Sequence, residues 1–111
     1  NMLFSITWTI PTQNRVACLN AFGNMTPDDD LKDAGPDVKI VGRWHHLAGD
    51  AGVCIAECSN ASALNSFMLN WAPLCDITVT PVVDDAQARA SMVGKPWFQS
   101  GGAAAEGASK Q

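Results

Sequence analysis

Arg43, His45 and Glu57 are the residues whose types and spacing could do chemistry. Arg43 and His45 stand two apart in the segment Gly42-Arg43-Trp44-His45-His46, so on an extended chain they share one face. Glu57 closes the apolar run from Val53 to Cys58, and a hairpin between the two segments would set it across from that pair. Arginine offers a fork of hydrogen-bond donors to a small, anionic or polar molecule. Histidine exchanges a proton near neutral pH, which makes His45 the candidate catalytic acid or base. Trp44 stands beside them as a wall for a cleft between sheet and helices. Together with Thr7, these residues form the candidate ligand-binding set Arg43, Trp44, His45, Glu57 and Thr7. The same positions also suit a purely structural reading, in which a buried Arg43–Glu57 pair fixes sheet register or a dimer contact and His45 is a satisfied interface residue.

Other chemistry finds less support. His45 and His46 are adjacent on a strand and point to opposite faces, so they cannot easily share an ion, and no metal site or cofactor is expected. The run Asp28-Asp29-Asp30 fails as a calcium loop, because its sixth position is Asp33 and its twelfth is Lys39 where glycine and glutamate are needed. Nucleophile elbows, phosphate loops and dinucleotide fingerprints are all missing. Cys18, Cys54, Cys58 and Cys75 read as small buried hydrophobes. Cys54 and Cys58, four residues apart on a strand, have Cα atoms roughly 13 Å apart, too far for a bridge. Reduced cysteines point to a cytoplasmic protein.

The elements that must position these residues follow from periodicity. Phe4, Ile6, Trp8 and Ile10 alternate with Ser5, Thr7 and Thr9, which predicts a strand. Gln13 to Phe22 reads as a helix with Val16 and Leu19 inward and Gly23 at its end. Thr26-Pro27 starts a short helical turn. Val38 to His46 and Val53 to Cys58 are two strands joined by the Gly49-Asp50 turn, the second apolar on both faces and so central. Leu64, Phe67, Met68 and Trp71 share one side of a helix capped by Ser59 or Asn60 and closed by Pro73. Asp76 to Val83 is the last strand, and Asp84 or Asp85 caps a short helix through Met92. Periodicity assigns Trp8 and Trp71 to the core, while Trp97-Phe98 suits a partner subunit or the sheet edge.

This order, β-α-β-β-α-β, is that of an α+β ferredoxin-like subunit: a four-stranded antiparallel sheet with two helices on one face. Strand parity places Phe4, Ile6, Trp8, Ile40, Trp44, Ile77 and Val79 under the helices. It sends Ser5, Thr7, Val41, Arg43, His45, Val53, Ile55, Glu57, Thr78 and Thr80 to the open face. So mixed a face suits burial against a second subunit.

Several of these segments also carry a family resemblance. Trp8-Thr9-x-Pro11-x-x-Asn14-Arg15, Gly42-Arg43-Trp44-His45, Gly52-Val53-x-Ile55-x-Glu57, Asn70-Trp71 and Asp76-x-x-Val79-Thr80-Pro81-Val82-x-Asp84-Asp85 occur in this order. The chain resembles, over about Met2 to Arg89, the bacterial proteins grouped as domain of unknown function 3303, which are related to the dimeric α+β barrels. That resemblance implies a homodimer paired sheet to sheet and no settled activity. Related barrels include cofactor-free oxygenases whose sites lie between sheet and helices. His46 and the Gly/Ala-rich tail have no counterpart in the pattern.

The chain has 111 residues, with 7 basic and 11 acidic side chains and a net charge of -4, which fits one domain over residues 2–93 followed by a flexible extension over 94–111. Asn1 reads as an addition ahead of a natural start at Met2. Nothing at that start resembles a secretory signal, and no apolar run is long enough to span a bilayer. So few and scattered basic residues argue against nucleic acid as a partner. Two functional expectations follow. One is a non-catalytic homodimer that binds a small ligand or acts as an interaction module. The other is a cofactor-independent monooxygenase or isomerase, with Arg43 and Glu57 placing substrate and His45 moving protons.

Overall fold

The computed structural model describes residues 1–100. Its elements are β1 (Met2–Thr9), α1 (Arg15–Gly23), α2 (Pro27–Ala34), β2 (Val38–His46), β3 (Ala51–Cys58), α3 (Ala61–Trp71), β4 (Asp76–Val82) and α4 (Asp85–Met92), with single 3-10 turns at Thr12–Asn14 and Leu47–Gly49. The four strands form one antiparallel sheet in the order β2-β3-β1-β4. Apolar β3 is central, as its two-sided hydrophobicity requires, and Pro81 sits on edge strand β4, where its missing N–H costs no ladder bond.

The core lies between this sheet and the helices. Ile6, Cys54, Ala56 and Cys58 from β1 and β3 pack with Val38, with Ala34 of α2 and with Leu64 and Phe67 of α3. A second cluster of Ile10, Cys18 and Cys75 adjoins it under α1, bordered by Trp8, Trp71, Leu74 and Ile77. Burying each large side chain contributes about 1.5–3 kcal/mol, so the α3 stripe holds that helix in place.

The segment Thr26–Ala34 is more than a turn. Thr26 accepts from the Asp29 amide and Asp29 returns a bond to the Thr26 amide, closing a capping box with Pro27 at the first helical position. The resulting two-turn helix is tied to α3 through Asp33, which accepts from Trp71 Nε1 at 2.8 Å and from Asn70 Nδ2 at 3.0 Å. The layer against the sheet therefore contains three helices, α1 to α3, where two were expected. Helix α1 is also rotated from its expected setting. Its buried residue is Cys18 and Leu19 still faces the sheet, while Val16, expected inward, is 70% exposed. Helix α4 starts with a second capping box, Asp84 with Gln87, and ends before Gly94, whose φ of 85° stops the helix. Of the expected 94–111 extension, residues 101–111 lie outside the described residues.

The largest departure from expectation is inside β2. Ile40 pairs with Ala56 but Gly42 pairs with Ile55, so Val41 is an extra, unpaired residue forming a bulge. A one-residue insertion inverts the alternation of everything beyond it. Arg43 and His45, expected on the open face, therefore pair with Cys54 and Gly52 and lie on the helix side, in rows with Ile6 and Trp8. Trp44, expected under the helices, faces the open side and is 61% exposed. Its ring folds over Gly42, where a Cβ would come within 2.3 Å of the indole.

Candidate functional site

The bulge delivers Arg43 and His45 to the wall of a cavity between the sheet and helices α1 and α3. Ile6 and Trp8 of β1, Cys54 of β3 and Ile77 of β4 form its floor, Cys18, Leu19 and Phe22 come from α1, and Phe67, Met68 and Trp71 from α3. Ile10, Leu47 and Cys75 complete the lining, and the cavity measures about 80 Å³. It is apolar apart from the two β2 side chains. Trp8 reaches it because Gly52 lies directly beneath the indole; a Cβ at Gly52 would stand 2.1 Å from Trp8 Cζ2. The close approach of ring to backbone is thus a glycine requirement.

At the mouth, His45 packs between two aromatic rings, 4.6 Å from Phe22 and 5.5 Å edge-on to Trp8. Arg43 lies over the same Phe22 ring at 4.8 Å, a cation–π contact. Behind it, Asp30 of α2 stands 3.1 Å from Arg43 Nη2. That approach is outside hydrogen-bond geometry, so Asp30 Oδ1 is a buried acceptor with no donor aimed at it. The pair is an ion pair by distance without the directed bond that strengthens such contacts. Loss of solvent around the imidazole, and then the Arg43 charge, hold His45 below the ordinary histidine range, with Asp30 opposing them. His45 is therefore neutral at pH 7, with one ring nitrogen a donor and the other an acceptor. Burial raises the Cys54 thiol, against the pull of Arg43, so it stays protonated.

The loops at this end are tied down. Arg15 at the start of α1 is paired with Asp50 of the β2–β3 turn, and the Ile10 amide donates to the Asp50 carbonyl at 2.7 Å. Asp50 holds a left-handed conformation, φ 53°, which aspartate tolerates better than most residues. Asn14 Nδ2 bonds the Leu74 carbonyl at 3.2 Å, joining α1 to the segment that enters β4.

The expected set is thus divided. Arg43 and His45 meet at the cavity, whereas Thr7, Trp44 and Glu57 belong to the other face of the sheet. Glu57 is flanked across the strands by Leu3 and Lys39, not by Arg43, so the structural Arg43–Glu57 pair is replaced by Arg43 with Asp30. Asp30 and Phe22 were missed, since each becomes a neighbour of β2 only through the tertiary packing of helices. His46 points away from His45 as expected, its ring lying over Gly49. Among the described residues no group of three metal-ligating side chains converges, and no helix is long and apolar enough to cross a membrane.

A sheet covered by helices on one side, with a cavity at their junction, is the setting in which the comparisons with known proteins fall. The chain belongs to the family described as domain of unknown function (DUF3303), whose model it matches over residues 2–95. No curated protein and no solved structure gives a significant match.

Proposed function

We propose that the chain is a ferredoxin-like subunit of a dimeric α+β barrel and that it binds a small, largely apolar molecule in the cavity between sheet and helices. The observation that carries this reading is the lining itself: aromatic, aliphatic and thiol groups around one end, with polar groups confined to Arg43 and His45. Ligand pockets commonly combine an apolar body with a few placed polar groups. Charge decides the kind of head group. Arg43 is already met by Asp30 and His45 is neutral, so the mouth has little net charge for an anion. The ligand is a ring or short alkyl body ending in a neutral hydroxyl or carbonyl. An apolar cavity of about 150 Å³ holds benzene, so a ring enters this smaller, partly open one only in part and leaves its polar end at Arg43 and His45.

The test uses ligand-observed saturation-transfer NMR with phenol and cyclohexanone, against benzoate as the charged control. Transfer to the neutral molecules, weaker transfer to benzoate, and loss of both in Met68→Trp, which fills the cavity, are expected. Equal signals in wild type and Met68→Trp, or none in either, would overturn the reading.

A second reading, a cofactor-independent isomerase or monooxygenase, draws on one feature: a neutral imidazole on the wall of an apolar cavity can take a proton from carbon beside a carbonyl. It requires exchange of the ring protons adjacent to the cyclohexanone carbonyl in D2O to be faster with wild type than with His45→Gln. Equal rates leave the non-catalytic reading in place.

A further inference from the structure

Cys18 on α1 and Cys75 just before β4 are 57 residues apart in the chain, and their sulfurs lie 3.5 Å from each other. Both are free thiols, 5% and 8% exposed. The contact sits in the small cluster of Ile10, Trp8, Trp71, Leu74 and Ile77, and both sulfurs line the cavity. The sequence read all four cysteines as inert hydrophobes, and for Cys58, bonded to the backbone at Asn60, that description holds. Two thiols in contact on the wall of a partly open cavity are a different chemical object. A disulfide needs the sulfurs at about 2.05 Å, so closure requires an approach of roughly 1.5 Å from the 3.5 Å contact.

We propose that Cys18 and Cys75 are an oxidation site, closing to an intramolecular disulfide when hydrogen peroxide enters the cavity. In the first step one thiol sulfur attacks the peroxide, the O–O bond breaks, and the products are a sulfenic acid and water. In the second the other thiol attacks the sulfenic sulfur, forming the S–S bond and releasing a second water. Two thiols thereby lose two electrons and two protons, and one hydrogen peroxide is reduced. Proximity makes the second step intramolecular, which favours the bridge over further oxidation of a single sulfur. Burial, the neighbouring Cys18 and the charge of Asp76 push the Cys75 thiol up to about 12, so thiolate is scarce at neutral pH and closure is slow there and faster in mild alkali. The bridge would join α1 to the entrance of β4 and draw in that end of the cavity. The proposal rests on the sulfur geometry and stands whether or not the cavity holds a ligand.

The test treats the reduced full-length protein with hydrogen peroxide and follows intact mass and disulfide-mapped peptides. The expected product has lost the mass of two hydrogen atoms, is restored by dithiothreitol, carries a Cys18–Cys75 linked peptide, and melts at a higher temperature than the reduced protein. Cys18→Ser and Cys75→Ser each lose this product, while Cys54→Ser, at a third thiol of the same cavity, retains it. Addition of oxygen atoms without loss of two hydrogens, a bridge that includes Cys54 or Cys58, or a cross-link between two chains would each overturn the proposal. Because the linked peptide is read in the wild type, a serine variant that failed to fold would not rescue it.

Discussion

The position of His45 between Phe22, Trp8 and Arg43 gives it a pH signature with a definite sign. Its folded pKa lies below the value near 6.5 that it has in the unfolded chain. Between those two values the unfolded chain binds the proton and the folded protein does not, so stability falls as pH drops through about 6.5 and levels off below the folded pKa. Thermal melts between about pH 5 and 8 should show this loss in wild type and a smaller one in His45→Gln. A second expectation isolates the electrostatic cause. Arg43→Gln removes a charge that lowers the pKa and leaves Asp30, which raises it, so the His45 titration followed by NMR should move upward. No movement would mean that the guanidinium does not face the ring. Gly52→Ala tests the cavity floor: its Cβ would meet the Trp8 indole at 2.1 Å, and overpacking of this kind costs about 1–3 kcal/mol, measurable by urea unfolding, with a change in tryptophan emission.

At the scale of elements, strand β2 decides which side chains form the site. Alternation counted from Val38 is correct as far as Ile40 and inverted beyond Val41, because the bulge adds one residue against Ala56 and Ile55. A sequence cue for it exists: Gly42 within an otherwise strand-like run is a common mark of a bulge. Its use would have moved Arg43 and His45 inward. The strands and the α3 stripe were legible because burial on one face imposes a period on the residues themselves. Asp30 and Phe22 were not legible, since nothing local to β2 encodes which helix lies over it. The contact of Cys18 with Cys75 was hidden for the same reason, at 57 residues' separation. Deletion of Val41 should therefore remove the bulge yet keep the pairing of Gly42 with Ile55 and Arg43 with Cys54, so that Arg43 and His45 stay on the helix side and Trp44 on the open face. Phenol binding should then survive both in the deletion and in Val41→Ala, whereas its loss in the deletion alone would mean that the bulge itself, and not the pairing beyond it, sets Arg43 and His45 at the cavity.

For the whole molecule, the two faces of the sheet now carry separable questions. The helix side holds Arg43, His45 and the cavity, while the open side shows Thr7, Val53, Ile55, Glu57, Thr78, Thr80 and Trp44, with no helix packed over it among the described residues. An uncovered face of this kind, apolar at Val53, Ile55 and Trp44 and hydrogen-bonding at its threonines, fits the proposed pairing of two subunits sheet to sheet, and charge buried there without a partner is strongly unfavourable. Ile55→Asp on central strand β3 should then shift the protein from dimer to monomer in light scattering, with Trp44→Arg weakening the dimer in the same direction. Arg43→Ala, once a natural choice for breaking the interface, lies on the other side of the sheet and should leave subunit number unchanged while altering ligand binding. If Arg43→Ala splits the dimer and Ile55→Asp does not, the subunits associate through the helix side, and the cavity rather than the open sheet is the interface.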